Sequence, residues 1–240
     1  MRLNNYLTEI KDTPLKLALT TEEGVDELVA MIKRDCAPFL KECGGRLAYR
    51  KMNKEGAVGI KDVRKRRKPR DTSIILHSIM NKWFKGKFGW NVRSEGLFCN
   101  GIKAIEFGGD AVVIFPIGNI QYVWSDKTDD LYQEVDVHSE DDKVDRNIEE
   151  YTIKANTTTE IIRTIIYNIK DKVPSDSDKK MATDFIYYVL NKLDFSNKEL
   201  SRALQTRVGD PVEVAIKCDK FYYIDADRVG EVSKKLGMKG

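Results

Sequence analysis

The sequence predicts a single α+β domain, residues 44–240, behind an N-terminal helical extension over residues 1–43. Three observations predict it. Apolar residues recur at helical spacing in several segments, short apolar or alternating runs suited to strands lie between them, and no linker rich in Pro, Gly or Ser divides the 240 residues. At 41% hydrophobic and 33% charged, the chain has the side chains for a sizeable core, which excludes a disordered tail or a disulfide-stapled miniprotein.

The elements follow in order. Thr20 and Thr21 before Glu22 and Glu23 form a helix cap, and Val25, Leu28, Val29 and Ile32 follow at helical spacing to an end near Cys36–Pro38. Gly44 and Gly45 break the pattern, and residues 46–52 alternate as a strand with Arg50 on its polar face. Asp71 and Thr72 cap a helix over 73–84, whose Ile75, Leu76, Ile79, Met80, Trp83 and Phe84 share one face with His77 at its flank. His77 there reads as a satisfied boundary residue rather than a base. Residues 90–98 suit a strand, with Asn100-Gly101 turning into another over 102–107. The run over 111–116 is continuously apolar, as in a strand buried on both faces, and 121–124 is a further strand. Helices are expected over 159–169 and 179–193, and Ser196 to Glu199 has capping-box form before a shorter helix through Leu204. Two strands, 212–216 and 221–224, close the chain.

Charge is distributed unevenly behind a formal net of only +3. Residues 46–70 hold eleven basic and two acidic residues, a net of +9, and residues 126–150 hold eleven acidic and three basic, a net of −8. The basic run from Arg64 to Arg70 and the acidic stretch read as solvated loops, since many like charges repel and stay hydrated. Four scattered cysteines and two histidines suggest neither a disulfide framework nor a His/Cys metal cluster, and the expected compartment is reducing cytoplasm. No long apolar stretch suggests a signal or a membrane span. The sequence has no Walker loop, no dinucleotide fingerprint and no nucleophile-elbow motif, and Asp126, Asp129 and Asp130 lack the Gly and terminal Glu of a calcium loop.

Separated pieces remain: Leu47-Ala48-Tyr49-Arg50, the region from Phe88 through Arg93 and Ser94, and Glu213-Val214-Ala215-Ile216 followed by the aromatic run at 221–224. Their order resembles the Arg, Ser, Glu arrangement of the mono-ADP-ribosyltransferase fold, a split β-sheet core with flanking helices. Residues 64–124 also resemble uncharacterised proteins encoded by tailed bacteriophages, through Pro69 to Thr72, Phe88-Gly89, Arg93-Ser94, Phe98 and Phe115-Pro116.

The resemblance implies NAD as cofactor and a host protein or nucleic acid as acceptor. It implies Arg50 as cofactor clamp with Arg93 as a second possibility, Ser94 as pocket residue, and Glu213 as the carboxylate that stabilises an oxocarbenium-like transition state. Tyr49, Phe98 or Tyr122 would stack on nicotinamide. The chemistry is consistent with those residue types: a carboxylate stabilises positive charge on a sugar as in glycosidases, and a guanidinium forks onto a pyrophosphate. Where the family often carries Ser-Thr-Ser, this chain has Arg93-Ser94-Glu95. Where it carries a Glu or Gln two residues before the catalytic Glu, this chain has Pro211, so the acceptor stays open.

Two other readings stand beside the enzyme. Glu213 and Arg50 also fit polar positions on solvated faces. Arg64, Lys65, Arg66, Arg67, Lys68 and Arg70 form six cations in seven positions, suited to nucleic-acid phosphate with a steep salt dependence. A virion structural protein of the same fold without activity is the third reading.

Overall fold

A computed structural model of the protein describes residues 12–65, 73–101, 111–128, 131, 133–135, 142–171, 175–205 and 212–238. The fold is mixed α+β, and the chain divides into two compact units. The first comprises residues 1–65, 96–122 and 197–240, so the expected N-terminal extension groups with the sheets. The second comprises residues 66–95 and 123–196.

The first unit is built on an antiparallel sheet of five strands, ordered β1 (Asp12–Pro14), β3 (Val58–Asp62), β8 (Lys220–Asp225), β5 (Ala111–Ile117), β2 (Ala48–Lys51). As its unbroken apolar run predicts, β5 lies at the heart of the core, with Val112, Val113, Ile114 and Phe115 fully buried. Helices α1 (Glu22–Asp35) and α2 (Ala37–Glu42) pack on β5, and Phe39 meets Phe115 edge to face at 6.3 Å. The cap of α1 forms as predicted, with Thr21 Oγ1 accepting the Gly24 N–H. The five-residue β3 was not legible in the sequence. Its Gly59 lies opposite Tyr223 of β8, whose hydroxyl donates to the Glu55 carbonyl, and a Cβ at Gly59 would enter the Tyr223 ring.

A second sheet runs in the order β4 (Leu97–Cys99), β7 (Val214–Lys217), β6 (Gln121–Trp124). The chain passes from the first unit to the second after Tyr122 of β6. The strand expected over 90–98 is not continuous: a helical turn, α4 (Val92–Glu95), precedes β4, because Ser94 and Glu95 N–H groups both donate back to the Asn91 carbonyl. The segment 102–107, expected as a strand, lies outside the described residues.

The second unit is helical. Helix α3 (Ile74–Phe88) buries the predicted stripe from Leu76 to Phe84, except that Ile75 stays half-exposed. Its cap is Ser73, accepting the Leu76 N–H, rather than Asp71 or Thr72. Helices α6 (Thr159–Asp171) and α7 (Asp176–Lys192) lie where the periodicity placed them, α7 with a full capping box of Ser175 and Asp178. The acidic stretch is not all loop, because α5 (Lys143–Ala155) occupies its C-terminal part and buries Val144, Ile148 and Tyr151. Spacings of four and three make that face helical, and the surrounding charge count hides it. Ser196 does not cap α8 (Leu200–Ala203): it bridges Trp124, and Glu199 occupies the N-cap.

Candidate active site around strand β4

Strand β2 pairs along one edge with β5, setting Arg50 opposite Val112. Along its other edge it makes an isolated bridge to the end of β4. The Tyr49 N–H donates to the Asn100 carbonyl at 2.7 Å, and the Asn100 N–H returns to Tyr49 at 3.0 Å. Arg50 Nη1 reaches the Phe98 carbonyl. On its far side β4 pairs antiparallel with β7, matching Phe98 to Ala215 and Cys99 to Val214. Continued by one residue, that register sets Glu213 opposite Asn100, which Tyr49 flanks on the other side.

Electrostatics agree with the register. Burial raises the Cys99 thiol pKa most, Arg50 lowers it and Glu213 raises it, so both charges act on the same fully buried group. Glu213 and Arg50 are themselves half-buried. Asn100 adds a further feature: its side-chain Oδ1 is buried and accepts no hydrogen bond. An unpaired buried acceptor costs about 1–3 kcal/mol, which a ligand donor would recover. Gly101 follows because a Cβ there would collide with the Leu204 carbonyl. A cation, an anion and an unpaired carboxamide oxygen thus gather about one short strand. By the same register Arg50 falls opposite Cys99, one position along from the row of Tyr49, Asn100 and Glu213 and so on the alternate face of the strand.

The sequence-expected residues divide between the units. Arg50, Tyr49, Phe98 and Glu213 belong to the first, at or beside β4, whereas Arg93 and Ser94 belong to the second, on α4 rather than on a strand. The Ser94 hydroxyl lies 2.9 Å from His77 Nε2 and accepts from Asn81 Nδ2 at 2.7 Å. In the basic stretch Arg64 and Lys65 are exposed, and Lys65 pairs with Asp219 at 3.0 Å; Arg66, Arg67, Lys68 and Arg70 lie outside the described residues. Asn100 was hidden in the sequence by Gly101 beside it, since the pair reads as a turn. Its signal was a polar residue two positions beyond Phe98, on the same face of the strand.

Elsewhere in the first unit, Tyr122 borders an open cavity of about 830 Å³ with Pro38, Lys41, Asn119 and Lys198, and its hydroxyl donates to Glu42 at 3.1 Å. Neither Arg50 nor Glu213 lines it. All four cysteines are free buried thiols, and burial pushes that of Cys218 up to about 12. Among the described residues no cluster of His, Cys, Asp and Glu suits a metal, and no helix is long and apolar enough to cross a membrane. Compared with known proteins, the chain matches no family profile, no curated protein and no solved structure.

Proposed function

We propose that this chain is a phage-type, NAD-dependent protein resembling the mono-ADP-ribosyltransferases, acting on a host protein or nucleic acid. The observation that carries the reading is the register that brings Arg50 and Glu213 to β4 from its two neighbouring strands. The orphaned Asn100 Oδ1 supports the fit, because it offers an acceptor to a carboxamide or ribose hydroxyl donor. Bound NAD would supply an ADP-ribosyl group joined to a nicotinamide leaving group.

The chain's own residues then have separate tasks. Arg50 binds the anionic part through the planar donors of its guanidinium. Glu213 stabilises the positive charge that develops on the sugar as the leaving group departs. Tyr49 and Phe98 contribute aromatic surface beside it. Purified protein should release nicotinamide from NAD, and Glu213→Gln, which removes the charge and keeps the shape, should lower the rate about 10²–10³-fold. Turnover equal in the variant and the parent, or none in either, would sink the reading.

A further inference from the structure

We propose that Ser94 and His77, in the second unit, form a nucleophile and general-base pair that accepts an acyl group from an ester. The pair uses neither Arg50 nor Glu213, and it gives Ser94 a different role from the cofactor-pocket residue the resemblance implies.

The two hydrogen bonds of Asn81 have fixed directions. The Arg93 N–H donates to Asn81 Oδ1 at 3.0 Å, so Oδ1 faces the backbone and Nδ2 faces Ser94. Nδ2 can only donate, so the Ser94 oxygen accepts at 2.7 Å. That leaves the serine proton able to point to His77 Nε2, 2.9 Å away, in the tautomer that carries the imidazole proton on Nδ1. A hydroxyl donating to an unprotonated imidazole nitrogen is the arrangement that activates a serine. Asn81 fixes it by occupying one lone pair and leaving the other to attack.

Position in the fold suits the roles. His77 and Asn81 are buried on α3, 9% and 8% exposed, while Ser94 on α4 is only half-buried. Ser73 caps α3 and the Asn91 carbonyl accepts from Ser94 and Glu95, so both elements that carry the pair are held locally. In the step itself, a bond forms between Ser94 Oγ and the carbonyl carbon, and the Oγ proton moves to His77 Nε2. The ester C–O bond breaks, and the leaving alkoxide takes that proton as the alcohol.

The test uses a fluorophosphonate, which traps such serines: an Oγ–P bond forms, the P–F bond breaks, fluoride leaves and Nε2 takes the proton. Full-length protein should gain one adduct, mapped by peptide mass spectrometry to Ser94, and lose it in Ser94→Ala. His77→Gln should label about 10²–10⁴-fold more slowly at unchanged melting temperature. Should that variant fail to fold, the parent's labelling rate at Ser94 is followed against pH, where it must fall as one base becomes protonated. No adduct at Ser94 in the folded parent, an equal rate in folded His77→Gln, or a pH-independent rate would overturn the pair.

Discussion

Each of the two units is held together internally by a different kind of contact. In the first, each strand finds its partner far along the chain: β3 pairs with β8, β2 with β5 and β4 with β7. In the second, α3, α6 and α7 are specified by spacing inside single segments, and α3 and α7 also by their own caps. The difference teaches where single residues should matter most. A sheet core depends on a few side chains that many strands share, whereas a helical unit spreads its stability over stripes and caps.

The largest effect should come from Phe115, fully buried on β5 against Phe39. Phe115→Ala should destabilise the first unit by about 3–5 kcal/mol in chemical denaturation. A loss under 1 kcal/mol would break the contrast. In the second unit, Ser175→Ala removes the cap of α7 and should cost about 1 kcal/mol, seen as a modest drop in the melting temperature of its helical signal. Equal losses in the two variants would erase the distinction.

The smallest effect concerns pH. In the first unit Asp35 accepts from Arg34 and from the Tyr222 hydroxyl at 2.6 Å, and these bonds lower its pKa to about 2. A carboxylate lowered on folding stabilises the protein above its ordinary range, and the gain is lost as pH falls toward 2. Asp35→Asn should therefore flatten the acid limb of stability between about pH 4 and 2 and leave neutral pH nearly unchanged. An acid limb of the same slope in the variant would show that other carboxylates set it. Above neutrality the sign reverses for Tyr222: burial and its bond to Asp35 raise its pKa, so that contribution fades only at strongly alkaline pH.

Legibility followed the same division. The positions of α3, α6 and α7 and the apolar run of β5 were readable, because each carries its period within one segment, although Ile161, expected on the apolar face of α6, is exposed. β1 and β3 were not: Asp12–Pro14 and Val58–Asp62 have too few apolar residues to announce a strand, and pairing makes them one. Helix α5 was masked by the charges around Val144, Ile148 and Tyr151. At the candidate site, the family resemblance singled out Arg50 and Glu213, while Asn100 emerged only from register. His77 was visible as a flank position on α3, but no spacing rule links it to Ser94 seventeen residues later.

The sequence by itself determined the α+β class, the helical faces, the central buried strand and a short set of chemically apt residues, because period, apolar runs and charge are local properties. Tertiary structure alone decided which residues meet. It set Arg50 and Glu213 about β4, Lys65 against Asp219, and Ser94 between His77 and Asn81. Those outcomes depend on strand register and on a helical turn inside a segment expected as a strand. Both are settled by hydrogen bonds to partners the linear pattern does not name.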